Sequence, residues 1–138
     1  MTSNNSNAEA VYRPSILIVE DSPPQALKVK LVLESNGCQV VWVDTGWAGV
    51  AAAKNQRFDL IVLDVELPDI DGFTVCRNLK AEPELAEVPV VMLTTRDHAE
   101  DVLNGLEIGA VDYIPKDAFA EMVLLETIKQ MVRDIPKT

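Results

Sequence analysis

Five times along this chain a short, mostly apolar run is followed by a segment with helical spacing. The runs fall at residues 16–19, 40–43, 58–63, 90–93 and 111–114. None alternates with polar residues, as a strand with one wet face would. A short continuous run of this kind suits a strand buried on both faces. Strands of that type, alternating with helices, make a parallel sheet covered on both sides. The chain therefore predicts an α/β architecture with a five-stranded parallel sheet at its centre.

The segments between the runs carry helix punctuation. Ser22 is a good N-cap and Pro23 suits the first helical position. Leu27 and Leu31 continue that helix at i, i+4, and Asn36-Gly37 stops it, glycine being free to take the left-handed conformation. Thr45 caps a second helix through the Ala-rich residues 48–53. Asp71 caps a third, with Phe73, Cys76 and Leu79 at helical spacing and Pro83 beyond its end. Asp97 caps a fourth, with Val102, Leu103 and Leu106 turned inward and Gly109 as its stop. A last helix runs over about residues 118–133. Trp42 and Trp47 are expected in or near the core. Residues 1–13 are polar and rich in Asn and Ser, and read as a flexible tail. Residues 14–138 read as one domain, large enough to bury roughly two-thirds of its unfolded surface.

Charge narrows the partners. Lysine plus arginine number 12 against 22 acids, for a net charge of −10. Such a chain repels a phosphate backbone and an anionic membrane surface, so the expected partners exclude nucleic acid and membrane. Cys38 and Cys76 lie far apart without a metal-ligand pattern, and read as thiols of a reducing compartment. The N-terminus lacks a signal-peptide pattern and no apolar run approaches a membrane span. The expected location is cytoplasmic.

The ends of the apolar runs carry the chemistry. The first ends in Glu20-Asp21, the third in Asp64, the fourth in Thr94, and the fifth leads to Lys116. Open parallel sheets place their sites at the C-terminal edge of the strands. With strand order 2-1-3-4-5, strands one and three flank the switch point and bring Glu20, Asp21 and Asp64 together. Three carboxylates in one crevice repel unless protons or a cation intervene. Few carboxylates, with water filling the remaining positions, suit Mg²⁺ better than Ca²⁺. Lys116 adds a point charge and Thr94 a hydroxyl donor, so the set has the parts of phosphoryl transfer, with Asp64 as nucleophile. Singly, each residue has a plainer reading. Asp21 can favour a helix start, Thr94 can cap a helix, Lys116 can be a surface lysine and Tyr113 can be core. Asp64 resists one, because an acid ending a buried strand is costly unless paired.

With Glu20-Asp21, Asp64, Pro68, Gly72, Thr94, Tyr113 and Lys116 in these places, the chain resembles the receiver domain of bacterial two-component response regulators, of the stand-alone, single-domain type. The resemblance covers about residues 16–133 and implies a flavodoxin-like (βα)5 three-layer sandwich with strand order 2-1-3-4-5. It implies that Asp64 accepts a phosphoryl group from a sensor histidine kinase or histidine phosphotransfer protein. Mg²⁺ would be bound by Asp21, Asp64 and the backbone carbonyl of Glu66, with Glu20 acting through water. Thr94 and Tyr113 would form the switch pair. The domain would catalyse its own Mg²⁺-dependent phosphorylation and dephosphorylation without turning over a separate product, and would signal by contact with a downstream protein target. His98, the one histidine, is given no phosphotransfer role.

Three departures from the family pattern bear on the site. The fifth strand ends in Pro115-Lys116-Asp117, where family members usually carry Lys-Pro, often with a cis bond. Thr95 stands where Ala, Ser or Gly is usual, and its β-branched bulk is expected to restrict access to the phosphate or to hinder Thr94. The first acid is Glu20, with a longer reach than Asp. Glu66 and Arg96, each two residues beyond a site residue, are placed to bridge the mouth and slow hydrolysis. An aspartate-nucleophile phosphatase of the haloacid dehalogenase type is the alternative, but it needs a second aspartate where this chain has Glu66. A flavodoxin-like ligand binder needs a Ser/Thr/Gly-rich phosphate loop after the first strand, where this chain has acids and prolines. The last helix carries two apolar rows, Phe119, Met122, Leu125 and Val132 beside Leu124, Ile128 and Met131, more than one buried face needs. The face of the fourth helix, fifth strand and last helix is therefore expected to bind a partner or a second copy in a two-fold pair.

Overall fold

The computed structural model describes residues 13–95, 103, 107–117 and 120–133, and of Val132 and Arg133 the backbone only. Five strands appear where the apolar runs stand, shifted by a residue or two at their ends: β1 Ser15–Val19, β2 Gln39–Val43, β3 Leu60–Asp64, β4 Val90–Thr94 and β5 Asp112–Pro115. All pair in parallel, in the order β2-β1-β3-β4-β5. Helix α1 is Pro23–Ser35, α2 Gly46–Asn55 and α3 Gly72–Ala81, and the C-terminal helix is Ala120–Arg133. Leu103 and Glu107, between β4 and β5, are also helical.

The caps act as their side chains dictate. Ser22, Thr45 and Asp71 each accept a backbone N–H from the first turn of the helix that follows. Gly37 ends α1 with φ +89°, a conformation that costs little only without a Cβ.

Because the inner strands β1, β3 and β4 are buried on both faces, the sheet has two cores. On one side Leu17, Val19, Leu63 and Met92 meet Val50 of α2 and Phe73, Val75 and Leu79 of α3. On the other, Ile16, Ile18, Val62 and Leu93 meet Val29 and Leu33 of α1 and Leu124 and Ile128 of the C-terminal helix. Each such side chain removed from water contributes about 1.5–3 kcal/mol before chain entropy is counted.

Three packing expectations change. In α1 the buried stripe is Ala26, Val29 and Leu33, while Leu27 and Leu31 are each 54% exposed. Leu103 is exposed and not turned inward. Trp47 is 54% exposed and Trp42 stands half in solvent on the edge strand β2, so neither is a core tryptophan. For the C-terminal helix the row of Leu124 and Ile128 covers the sheet, with Met131 against its edge, and Met122 and Val123 face outward. The tail through residue 12, Arg96, Asp97, His98, Val102, Leu106, Phe119 and the Val132 side chain lie outside the described residues.

Candidate functional site

Strand order does the first part of assembling the site. β1 lies between β2 and β3, so the chain leaving Val19 and the chain leaving Leu63 emerge side by side. Glu20, Asp21 and Asp64 each present a carboxylate oxygen, and these oxygens lie within 4.8 Å of one another. Glu20 and Asp64 are buried and Asp21 is exposed.

Lys116 enters from the far side. It follows β5, and its amide donates to the Thr94 carbonyl at 2.7 Å, which binds the ends of β4 and β5 together. Its Nζ then crosses to Asp64 Oδ2 at 3.0 Å and Glu20 Oε1 at 2.7 Å. The described backbone has no cis peptide bond, so the reversed Pro115-Lys116 order still delivers the lysine to both acids. The remaining oxygens are also engaged. Asp64 Oδ1 accepts the Glu66 amide at 3.1 Å, and Glu20 Oε2 accepts the Ser22 amide at 3.1 Å.

The electrostatics follow from this crowding. Burial pushes the Glu20 carboxyl up, the hydrogen bond from Lys116 pulls it down, and neighbouring Asp64 pushes it up again, to about 7. Burial works to lower the Lys116 ammonium, but its bonds to Glu20 and Asp64 outweigh that and hold it above its usual range. Three carboxylates against one ammonium leave the pocket doubly negative when all are ionised. The donor set is oxygen only, with one member open to solvent, and therefore suits a hard divalent cation that keeps some of its waters.

The other expected residues occupy distinct places. Thr94 is buried at the end of β4. Tyr113 lies opposite Met92, half-buried against the core that contains α2 and α3. By strand alternation Thr94 and Tyr113 share that face of the sheet. Glu66 is exposed at the mouth, where its side chain accepts from Thr95 Oγ1 at 2.9 Å. Its proposed bridge to Arg96 lies outside the described residues.

The loop after Asp64 is fixed by contacts that the sequence did not announce. Asp69 Oδ1 accepts the Gly46 amide at 2.8 Å and Oδ2 the Trp47 amide at 2.9 Å, clamping the loop to the start of α2. Burial pushes the Asp69 carboxyl up slightly, but the Trp47 and Gly46 amides outweigh it and hold it below the ordinary carboxylate range. The Gly72 amide donates to the Val65 carbonyl at 2.8 Å, and a Cβ on Gly72 would fall onto the Asp64 carbonyl oxygen. Gly72 is thus required by close approach, not by an unusual φ. Trp42 also reaches the site, its indole Nε1 donating to the Glu20 carbonyl at 2.7 Å. The one sequence signal for Asp69 was a surplus acid in the turn; for Trp42 it was a polar-tipped aromatic near the end of an edge strand.

Comparison with known proteins agrees with this geometry. The family model described as the response regulator receiver domain matches residues 16–129. The chain is 37% identical over 117 residues to protein PilH of Pseudomonas aeruginosa, covering 85% of this chain and 96% of PilH. It is 40% identical over 111 residues to the DNA-binding dual master transcriptional regulator RpaA of Synechocystis, covering 80% of this chain but only 46% of RpaA. A solved receiver domain of a Pseudomonas aeruginosa sensor histidine kinase, with a magnesium ion coordinated in its active site cleft, superposes with a TM-score of 0.81. That pair is 31% identical, over 89% of this chain and all of the other.

Proposed function

Since the chain belongs to the response regulator receiver family, whose domains are signalling switches controlled by phosphorylation, we propose that Asp64 is its phosphoacceptor and that a sensor histidine kinase or histidine phosphotransfer protein is the donor. The observation that carries this is the Asp64 carboxylate itself. It ends a buried strand, contacts Lys116 at 3.0 Å and lies within 4.8 Å of two further acids. An acid there costs free energy that folding alone does not require.

In the proposed reaction an Asp64 oxygen forms a bond to phosphorus while the bond from phosphorus to the donor imidazole nitrogen breaks. The imidazole keeps the electron pair and takes a proton. The ammonium of Lys116 neutralises charge on the phosphoryl oxygens, and the Thr94 hydroxyl donates to one of them. Asp21, Asp64 and the Glu66 carbonyl would hold Mg²⁺, with Glu20 acting through water. Bound there, the ion supplies charge neutralisation for the incoming phosphoryl group. Thr94 and Tyr113, on one face of the sheet, carry the change outward as the switch pair. Hydrolysis of the acyl phosphate uses the same residues, so phosphorylation and dephosphorylation are both self-catalysed, with no separate product turned over. The haloacid dehalogenase alternative is set aside, because Glu66 occupies the position of its second aspartate and the family match spans this site.

We take residues 14–138 as the receiver unit and place its output in protein contact. The −10 charge disfavours direct nucleic-acid binding by this domain. Among the described residues no helix is long and apolar enough to cross a membrane. Both cysteines are buried free thiols, which agrees with the proposed cytoplasmic location. The exposed Met122 and Val123 support pairing of two phosphorylated copies through the face of β5 and the C-terminal helix.

Labelling with a small phosphodonor in Mg²⁺, followed by peptide mass spectrometry, tests the central claim. Wild type acquires one phosphoryl group on the peptide containing Asp64, and Asp64→Asn acquires none. Full labelling of Asp64→Asn at another residue overturns the assignment.

A further inference from the structure

We infer that Trp42 is a positioning residue for the divalent-cation site, acting through the Glu20 carbonyl on Asp21. This rests on the proposed reading of Asp21 and Asp64 as metal ligands. Trp42 sits on the edge strand β2, paired with Ile18 and so two residues before Glu20 on the neighbouring strand. It is 37% exposed, so burial of its ring supplies only part of what a core tryptophan would. Yet its indole N–H makes a short bond, 2.7 Å, to the Glu20 carbonyl.

That carbonyl sits where the β1–β2 ladder ends. The last backbone bond between these strands is from the Glu20 amide to the Val43 carbonyl at 3.1 Å. Beyond it the chain turns toward α1, and Trp42 holds the next polar group. Glu20 is thereby fixed at its amide by Val43, at its carbonyl by Trp42, and at its carboxylate by Ser22 and Lys116. A peptide unit is planar, so fixing the Glu20 carbonyl also fixes the Asp21 amide and the direction in which the Asp21 Cα departs. Asp21 is the one exposed carboxylate of the three. Groups that orient a ligand from behind typically govern metal affinity by about 10- to 100-fold. Trp42 fills that role for Asp21, while Asp64 and Lys116 are positioned from other strands.

Calorimetric titration of the metal-free protein with Mg²⁺ tests this, alongside thermal melting. Trp42→Phe keeps the ring and removes the donor; it weakens Mg²⁺ binding about tenfold. Val40→Ala, on the same strand, serves as a control for general loosening and leaves the affinity near that of wild type. In Asp21→Asn protein, adding Trp42→Phe causes no further loss, because the effect runs through Asp21. A separate readout does not depend on the folding of Trp42→Phe. In Trp47→Phe protein, whose exchanged side chain is exposed, Trp42 is the remaining tryptophan, and its emission follows Mg²⁺ with the calorimetric midpoint. Wild type that binds Mg²⁺ and Trp42→Phe that binds it equally, or an emission blind to Mg²⁺, overturns the positioning role alone. Wild type that takes up no Mg²⁺ overturns the metal reading as well.

Discussion

Thr95 Oγ1 donates to Glu66 Oε1 at 2.9 Å, joining the ends of β4 and β3 across the mouth of the acidic pocket. Both residues lie one or two positions beyond a site residue, Thr94 and Asp64. On the proposed reading of Asp64 as phosphoacceptor, this contact is expected to restrict the approach of an attacking water. Thr95→Ala removes the donor and a methyl group and opens that path. A hydrogen bond worth about 1 kcal/mol corresponds to about fivefold in rate. Phosphate loss from Thr95→Ala is therefore expected to be about fivefold faster than from wild type. Time courses of phosphate release check this, and unchanged or slower decay removes the gate.

The Glu20 carboxyl, raised from 4.5 to about 7, makes the metal-free fold pH-dependent. Between those values the folded protein holds a proton that the unfolded chain has lost. Stability therefore falls as pH rises through this window and levels off above it. Glu20→Gln abolishes that decline. Proton and cation also compete, so Mg²⁺ binding strengthens as pH rises through about 7. Urea denaturation of both proteins across this range, in chelator, measures the first effect. A flat wild-type profile contradicts it.

Lys116 contacts two buried carboxylates at once, so its removal leaves both without their cation. Lys116→Met is expected to destabilise the metal-free protein near neutral pH by about 3 kcal/mol. Because the Lys116 hydrogen bond holds the Glu20 carboxyl down, its loss moves that carboxyl further up. Added Mg²⁺ restores part of the stability by replacing the missing charge. Denaturation with and without Mg²⁺ distinguishes this from a general packing defect, which Mg²⁺ does not relieve.

Gly37 and Gly72 separate two reasons for glycine. Gly37 has φ +89° and open space around it, so Gly37→Ala costs only backbone strain, about 1 kcal/mol. At Gly72 a Cβ meets the Asp64 carbonyl and the Val65 Cα, which are backbone and cannot swing away. Gly72→Ala is expected to cost about 3 kcal/mol and to displace Asp64. Phosphoryl labelling falls sharply in Gly72→Ala and is retained in Gly37→Ala. Equal labelling of the two would show that the close approach at Gly72 does not hold the acid in place.

The strands and their acids were legible in the sequence because one linear rule governs them. A strand buried on both faces must be apolar throughout, so Asp64 and Glu20-Asp21 stand out at its end, and the switch point brings them together. What stayed hidden depends on how one element meets another. Leu27 and Leu31 have the same helical spacing as Ala26, Val29 and Leu33, and hydrophobicity favours the leucines. The smaller stripe faces the sheet, with Ala26 fully buried where a long side chain would hold the helix away. The Trp42–Glu20, Asp69–Gly46 and Thr95–Glu66 bonds each join side chains to segments about 22 to 29 residues away in the chain. No local pattern encodes them, since the partners meet only when separate strands and helices come together.

The Asp69 clamp divides the domain mechanically. The loop leaving Asp64 is tied at Val65 by Gly72 and at Asp69 by the first two amides of α2. Any displacement of that loop must drag α2 with it or break two bonds to a carboxylate. The α2 side is therefore a stiff abutment. Across the pocket, Asp64 meets the Lys116 ammonium and the same loop is tied to the end of β4 by the Thr95–Glu66 bond. A force applied to that loop is thus handed to α2 through two backbone amides, so the helix start and the acid's loop move as one piece.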